Sequence, residues 1–232
     1  MRASRPRYAS SMDRSEIAIF PLSNVVLFPR VQTPLHIFEP RYRQMTEQAI
    51  ESNRMIGMVV VLPEHLHELA GNPPVYPIGC AGRLAQAQRL PDGRFNLVLA
   101  GIARFRILSE PPRPPEQLHR IAEVEFLSDP YPDDERERVV ELRRAIIGNL
   151  SVLVGHADPS GAAGFTTEAF GEMDDATFVN SLAAALALHP QEKQGLLDAN
   201  SIPERFERLE GLVSFRVAEL QSHGSTGSGR IH

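Results

Sequence analysis

The sequence predicts an α+β protein in which a mainly β region, about residues 15–128, precedes a helical region, about residues 129–221. Two patterns carry this prediction. In the first region, apolar residues alternate or run in short blocks bounded by proline and glycine, which is typical of strands. After the Pro- and Asp-rich stretch at 129–134, apolar residues recur every three or four positions, which is typical of amphipathic helices.

The stretch at 21–42 predicts two strands and the start of a helix. Residues 25–28 are a β-branched and aromatic run between two prolines, which favours a buried strand. Residues 35–38 continue in extended form, because the proline after Glu39 disfavours the helical conformation there. That proline suits the first turn of a helix over 40–53. The predicted buried face of this helix is Tyr42, Met45, Ala49 and Ile50.

Further strands are predicted at 16–20, 55–62, 78–90, 94–108 and 121–127. The run at 55–62 is almost wholly apolar, which is typical of a strand buried on both faces. Asp92-Gly93 between two strand-like arms predicts a hairpin. Gly101 interrupts the second arm, so we expect a bulge or bend near Ala100.

Four helices are predicted in the second region, at 133–154, from 174 or 175 onward, at 190–197 and at 201–221. Asp174 or Asp175 can cap the second of them and Ser201 the last. A loop is predicted at 156–170, and disorder is predicted at 1–14 and 222–232. The last helix has a near-heptad spacing that suits a bundle edge or a partner helix, carried by Phe206, Leu209, Val213, Val217 and Leu220.

Two motifs resemble one known family. The first is the order PLxxVVLFPxxxxPLxIFEPRYRxM, and the second is DGxxxxxxxGxxRFxI; both resemble the Lon N-terminal (substrate-binding) domain. The resemblance implies a PUA-like β domain (a pseudo-barrel) at 15–128, a helical bundle at 129–221 and recognition of protein substrates. Arg30 departs from the glycine common in the family, which we expect to change a turn and not the fold. The motifs are met here by Pro21, Leu22, Val26, Leu27, Phe28, Pro29, Pro34, Leu35, Ile37, Phe38, Glu39, Arg41, Tyr42, Met45, Asp92, Gly93, Gly101, Arg104, Phe105 and Ile107.

Charge and hydropathy argue against three classes of protein: nucleic-acid-binding, membrane-spanning and secreted proteins. The net charge of −5 argues against general nucleic-acid binding. No run approaches the ~18 apolar residues of a membrane helix. The first residues contain arginines but no apolar signal core, so a cytoplasmic location is expected. Cys80 is the only cysteine, which leaves no internal disulfide and predicts a small buried strand residue.

Catalytic motifs are missing from this sequence. A Lon protease also needs an ATPase and a Ser-Lys protease, but there is no GxxxxGK[ST] segment, and the single lysine, Lys193, has no serine in the preceding turn. There is also no GxSxG elbow. His65 and His67 offer two metal ligands where zinc needs three or four. We therefore expect a non-catalytic protein with no cofactor or metal.

Binding is the remaining function. We predict a free-standing recognition module or adaptor in protein quality control, with unfolded or specific client polypeptides, and a Lon-type protease, as candidate partners. One alternative is small-ligand or RNA binding by the β domain; another is an enzyme whose site the sequence does not display. A structural alternative also stands for the proposed site, in which its apolar residues pack the core and its charges pair locally. The candidate polypeptide-binding residues are Leu35, Ile37, Phe38, Glu39, Arg41 and Tyr42.

Overall fold

The computed structural model describes residues 14–157 and 172–225. The strands are β1 (Arg14–Leu22), β2 (Gln32–Ile37), β3 (Met55–Val60), β4 (Ile78–Arg89), β5 (Phe95–Ser109) and β6 (Arg120–Leu127). The α-helices are α1 (Pro40–Glu51), α2 (Arg136–Ala157), α3 (Asp175–Ala185), α4 (Pro190–Leu197) and α5 (Ile202–Ser225). Short 3₁₀ turns lie at Pro63–Glu68 and Asp133–Glu135. The predictions for 1–13, 158–171 and 226–232 fall outside the described residues, and α5 continues past residue 221.

The strands form a barrel with one strand left outside it. The sheet order is β2-β5-β4-β3-β1-β6, and an additional β5–β6 pairing closes β1, β3, β4, β5 and β6 into a ring. Only the β1–β3 pair is parallel among the described strand pairs. The α+β pseudo-barrel followed by helices is therefore confirmed. β5 pairs with β2 through residues 95–100 and with β6 through residues 104–109.

β5 changes partner at a bulge next to Gly101. Gly101 faces Gly82, and Ala103 faces Ala81, so Ile102 is the extra residue. The Gly101 N–H donates to the Val31 carbonyl at 2.8 Å. A Cβ on Gly101 would lie 2.8 Å from the Phe28 carbonyl carbon and overlap its oxygen. The predicted bend is confirmed, and its glycine is required by this close backbone approach.

The strand predicted at 25–28 is wrong. This stretch belongs to no strand, although Leu27 is 1% and Phe28 0% exposed. Its apolar run reflects burial between the bend of β5 and the helices, and burial alone does not supply a hydrogen-bonding partner strand. The next turn places Arg30 at φ 66°, a conformation that glycine adopts without strain. The Arg30 guanidinium lies 2.5 Å from an Asp174 carboxylate oxygen on the surface.

The helices largely follow the predicted faces and caps. Asp174 accepts a hydrogen bond from the Thr177 N–H and caps α3, and Ser201 accepts one from the Glu204 N–H and caps α5. On α1 the expected burial of Ile50 is wrong, because this residue lies one position beyond the stripe and is exposed. Predicted face residues that are buried are Tyr42, Met45, Ala49, Val139, Ile146, Leu150, Phe178, Leu182, Phe206, Leu209, Val213 and Val217.

Barrel and helices share one hydrophobic core. The larger cluster of buried residues joins barrel residues such as Leu99 to helix residues such as Phe178 and Phe206. A smaller cluster, which includes Ile19 and Phe105, fills the barrel interior. The division into domains at 128 and 129 stays a prediction, and the packing across it is continuous.

A buried ionic cluster lies at that division. The Arg205 side chain is 0% exposed, and its guanidinium donates to both Asp129 carboxylate oxygens, at 2.8 and 3.2 Å. Arg104 of β5 places Nε 2.8 Å from Asp129, at an angle too poor for a hydrogen bond, so that contact is ionic. Arg104 also donates to the Leu197 and Ser128 carbonyls. One carboxylate thus joins the barrel, the linker and α5.

We expect Gly101→Ala to lower the free energy of unfolding by about 3 kcal/mol, since the added methyl meets rigid backbone. Urea unfolding measures this change. The matched control is Gly148→Ala on the exposed face of α2, where a Cβ meets nothing within 4 Å. That control should stabilise by about 0.5–1 kcal/mol. Equal unfolding midpoints for the two variants would contradict the close approach at Gly101.

We expect Asp129→Asn to cost about 3–5 kcal/mol, because two buried guanidinium groups lose their counter-charge. Asp133→Asn removes a carboxylate that pairs with Arg136 at 2.8 Å on an exposed surface. This control should change stability by no more than about 0.5 kcal/mol. A loss of under about 1 kcal/mol for Asp129→Asn would show that the cluster does not hold barrel and helices together.

Candidate functional site

β2 has a free edge. Among the described strands it pairs only with β5. The Gly101 N–H bonds the carbonyl of Val31, so by strand alternation the backbone groups of Gln32, Pro34 and His36 point away from β5. Pro34 has no N–H and therefore loses no ladder bond at this position. The edge offers carbonyls at all three residues and N–H donors at two of them.

An uncharged sheet face adjoins this edge. The register places His36, Asn96 and Gln88 in one row across β2, β5 and β4, and Pro34, Val98 and Gln86 in the next row. These two rows, called here the amide face, line an open groove of about 680 Å³ together with Leu35, Ala87 and Leu97. His36 Nδ1 lies 2.7 Å from Asn96 Oδ1. The face presents amide, imidazole and apolar groups to solvent.

The predicted apolar site residues divide between this face and the core. Leu35 lies opposite the buried Leu97 and packs against the core. Phe38 is 59% exposed just beyond His36, and the ring centroids of His36 and Phe38 are 6.3 Å apart. Ile37 is 2% exposed and Tyr42 is also buried. The structural alternative therefore describes Leu35, Ile37 and Tyr42, which pack in or against the core.

The predicted charged residues Glu39 and Arg41 pair with each other. Arg41 Nε donates to Glu39 at 3.0 Å, and its terminal nitrogens donate to the carbonyls of Leu69 at 2.6 Å and Gly71 at 2.8 Å. The guanidinium lies 4.5 Å from the centre of the Tyr42 ring. Arg41 thus anchors the loop after the first 3₁₀ turn onto α1.

Sequence reasoning missed the amide side chains of the face. Gln86 and Gln88 alternate with alanine along β4, and Asn96 alternates with apolar residues along β5. That alternation signals outward side chains. It does not say which strands are neighbours, so the three amides could not be assigned to β2 before the sheet order was known.

A second cavity, of about 560 Å³, lies where the barrel meets the helices. Charged side chains that line this cavity already pair with one another. Arg143 lies 2.7 Å from Asp175, and the Tyr131 hydroxyl donates to the same carboxylate at 2.7 Å. Burial, followed by this hydrogen bond, raises the pKa of Tyr131 to about 12. The cavity is polar and its ion pairs are satisfied internally.

Cys80 and Lys193 are two further titratable groups whose surroundings are structural. Cys80 is fully buried in β4 as predicted, and burial raises the pKa of its thiol, which keeps it in the unreactive form. Burial lowers the pKa of Lys193, whose ammonium donates to the Ala184 carbonyl at 2.5 Å.

In the part of the chain that is described, no three His, Cys, Asp or Glu side chains lie close enough together to form a metal site. No helix in that part has the length and hydropathy to cross a membrane.

His119 is a buried histidine that fastens a loop to α1. It is 2% exposed, and its Nδ1 lies 3.2 Å from the Gln44 side-chain oxygen. The Leu118 N–H donates to that same oxygen at 2.8 Å. Burial lowers the pKa of His119, and the nearby charge of Arg113 lowers it further. The folded protein therefore favours neutral imidazole.

Comparison with known proteins gives matches along nearly the whole chain. Residues 16–214 match the family described as the ATP-dependent protease La (LON) substrate-binding domain. Lon protease of Escherichia coli K12 is 28% identical over 214 residues, which are 90% of this chain and 26% of that protein. Lon protease of Flavobacterium johnsoniae is 27% identical over 88% of this chain and 24% of its own length. The chain thus spans about a quarter of these relatives.

Two solved structures share the fold. The N-terminal domain of the Mycobacterium avium complex Lon protease superposes with a TM-score of 0.66 at 16% identity, covering 86% of this chain and 98% of that one. A Lon N-terminal domain protein from Xanthomonas campestris superposes with a TM-score of 0.56 at 21% identity, covering 84% and 96%. At these identities the likeness establishes the fold alone.

We expect acidification to destabilise the protein through His119. An unfolded chain protonates a histidine near its usual pKa of 6.5, whereas the folded state resists protonation. Stability should therefore fall as the pH drops below about 6.5 and continue to fall until the lowered folded pKa is reached. His119→Gln should lose less stability than wild type between about pH 7.5 and about pH 5.5, as measured by urea midpoints. Identical pH slopes for the two proteins would contradict this role.

Proposed function

The chain belongs to the ATP-dependent protease La (LON) substrate-binding domain family, and on this premise we propose that it binds extended polypeptide segments non-covalently on the amide face. The observation that carries the proposal is the combination of an uncharged groove, a free strand edge and the exposed Phe38. These three features adjoin one another on β2 and its neighbours.

Side chains of the amide face suit a polypeptide whose sequence varies. Gln86, Gln88 and Asn96 each carry both a donor and an acceptor, so they can pair with the N–H and C=O groups that every peptide backbone presents. Phe38 adds apolar contact area beside them. Recognition of backbone plus one apolar anchor selects extended, unfolded chain over folded surface.

The free edge of β2 adds backbone pairing by strand addition. Gln32 and His36 can each offer an N–H and a carbonyl, while Pro34 offers a carbonyl alone. A docked strand would therefore lose one bond in the middle of the ladder. This gap favours short, reversible pairing over the continuous edge-to-edge association that leads to aggregation.

For the cellular role we propose a recognition module or adaptor that presents unfolded or specific clients without catalysing a reaction itself. A Lon-type protease is the proposed receiving partner, since the relatives of this chain are Lon proteases and match it over about a quarter of their length. The test is degradation of a labelled client by purified Lon-type protease of the same organism, with and without this protein. An unchanged degradation rate would contradict the adaptor role and leave polypeptide binding standing.

A small-ligand role is a second candidate, favoured by the junction cavity of about 560 Å³ between barrel and helices. Thermal-shift screening of metabolite mixtures tests it, with Arg143→Gln as the cavity variant. RNA is the weaker form of this alternative, because the net charge of −5 disfavours contact with phosphates. Binding to RNA with a steep dependence on salt would restore it.

We expect Phe38→Ala to weaken binding of polypeptide about tenfold, which corresponds to about 1.4 kcal/mol, because it removes the apolar anchor. The measurement is fluorescence anisotropy with labelled peptides tiled along a reduced, alkylated and therefore unfolded protein. Phe215→Ala is the matched control: both phenylalanines are 59% exposed, and Phe215 lies on α5.

The two variants separate site-specific binding from general stickiness. Loss of affinity in Phe38→Ala alone supports the amide face as the docking site. Equal loss in both variants would indicate that any exposed phenylalanine recruits peptide, and wild-type affinity in Phe38→Ala would remove residues 35–42 from the site. Urea midpoints of both variants confirm that each is folded.

A further inference from the structure

The two ends of the amide face differ in charge. Beyond the groove, the next row across β2, β5 and β4 is Gln32, Ala100 and Arg83. Arg83 is exposed, and its guanidinium has no hydrogen bond or ion pair within residues 14–157 and 172–225. At the opposite end, Arg94 is neutralised by Asp92 at 2.5 Å. One end of an otherwise uncharged face therefore carries an uncompensated cation.

A β-bulge brings Arg83 to this side of the sheet. Leu84 pairs with Leu99 and Gln86 with Val98, so Ala85 is an extra residue in β4. The inward Leu84 is 2% exposed, and Arg83 therefore turns outward beside Ala100. Successive rows are about 7 Å apart, which places Arg83 within one side-chain length of the groove.

We propose that Arg83 gives this site a preference for a carboxylate at one end of the bound segment. This inference rests on the proposed polypeptide binding and adds its specificity. The ligand is an extended stretch of about six uncharged residues, the length spanned by the rows from Phe38 to Gln32. The carboxylate next to Arg83 is that of an acidic side chain, because a segment inside an unfolded chain has no free C-terminus. A guanidinium accommodates it, because its fork matches the two oxygens of a carboxylate.

Charge complementarity argues for this occupant. A guanidinium without a partner at the end of a neutral groove attracts an anion and repels a cation, while the groove itself is indifferent to charge. Because the site is open to solvent, the effect is modest. We expect about a threefold to tenfold preference for a carboxylate, diminishing as salt is raised.

The experiment uses the full chain and six forms of one labelled, uncharged peptide of about six residues. The forms are a C-terminal amide, a free C-terminus, two amidated peptides with an aspartate at the N- or the C-terminal end, and two amidated peptides with a lysine at the N- or the C-terminal end. Wild type should bind one of the two aspartate forms more tightly than the neutral amide. A preference for the free-acid form over both aspartate forms would contradict an acidic side chain as the group that Arg83 recognises.

Arg83→Gln should abolish the preference, and Arg83→Glu should reverse it toward lysine at the same end. Arg89→Gln is the control, since Arg89 is exposed on the same strand but lies opposite Phe95 and pairs with Glu47 at 3.3 Å. If the neutral peptide binds and the preference is absent, or persists in Arg83→Gln, the role of Arg83 is wrong and polypeptide binding still stands. If no form binds to wild type, both proposals fail.

Discussion

The docking of the helices onto the barrel depends on one carboxylate, that of Asp129. It lies in the linker between barrel and helices and contacts Arg104 of β5 and Arg205 of α5. Two buried cations on one anion would be unfavourable alone. Carbonyls at the end of α4 supply the additional negative partial charge: the Leu197 carbonyl accepts a hydrogen bond from Arg104, and the Leu196 carbonyl accepts one from Arg205. These carbonyls carry the negative end of the helix dipole, and the cluster fixes how the helices sit on the barrel.

That orientation reaches the proposed binding face through a short chain of contacts. Arg205 also donates to the Asn180 side-chain oxygen, and the Asn180 amide donates to the Pro29 carbonyl at 3.0 Å. Pro29 lies in the irregular stretch that crosses β5 beside Gly101 and leads directly into β2. The helices therefore fix the position of β2, while the outer edge of β2 stays open. An exposed edge is tolerated here because Pro34 interrupts its donors.

The geometry of the barrel explains why the amide face is exposed. β5 is longer than the barrel needs, so its second half pairs with β6 inside the ring and its first half projects beyond it to pair with β2. The projecting part is packed on one side by the core and left open on the other. Such a surface can carry amides and small apolar groups without cost to folding, since its side chains are not needed for packing.

The sequence by itself determined most strands and helices, a bulge or bend near Gly101, a cap at Asp174 or Asp175 and another at Ser201, and, through two motifs, the family resemblance. It could not separate a buried strand from a buried irregular segment at 25–28, since both require apolar residues and differ only in having a partner. It also could not tell which of the neighbours Ile37 and Phe38 is buried. Only the tertiary structure decided that Phe38 faces solvent and Ile37 faces the core. It also decided that Gln86, Gln88 and Asn96 lie beside β2, because strand order and register arise from contacts between residues far apart in the chain.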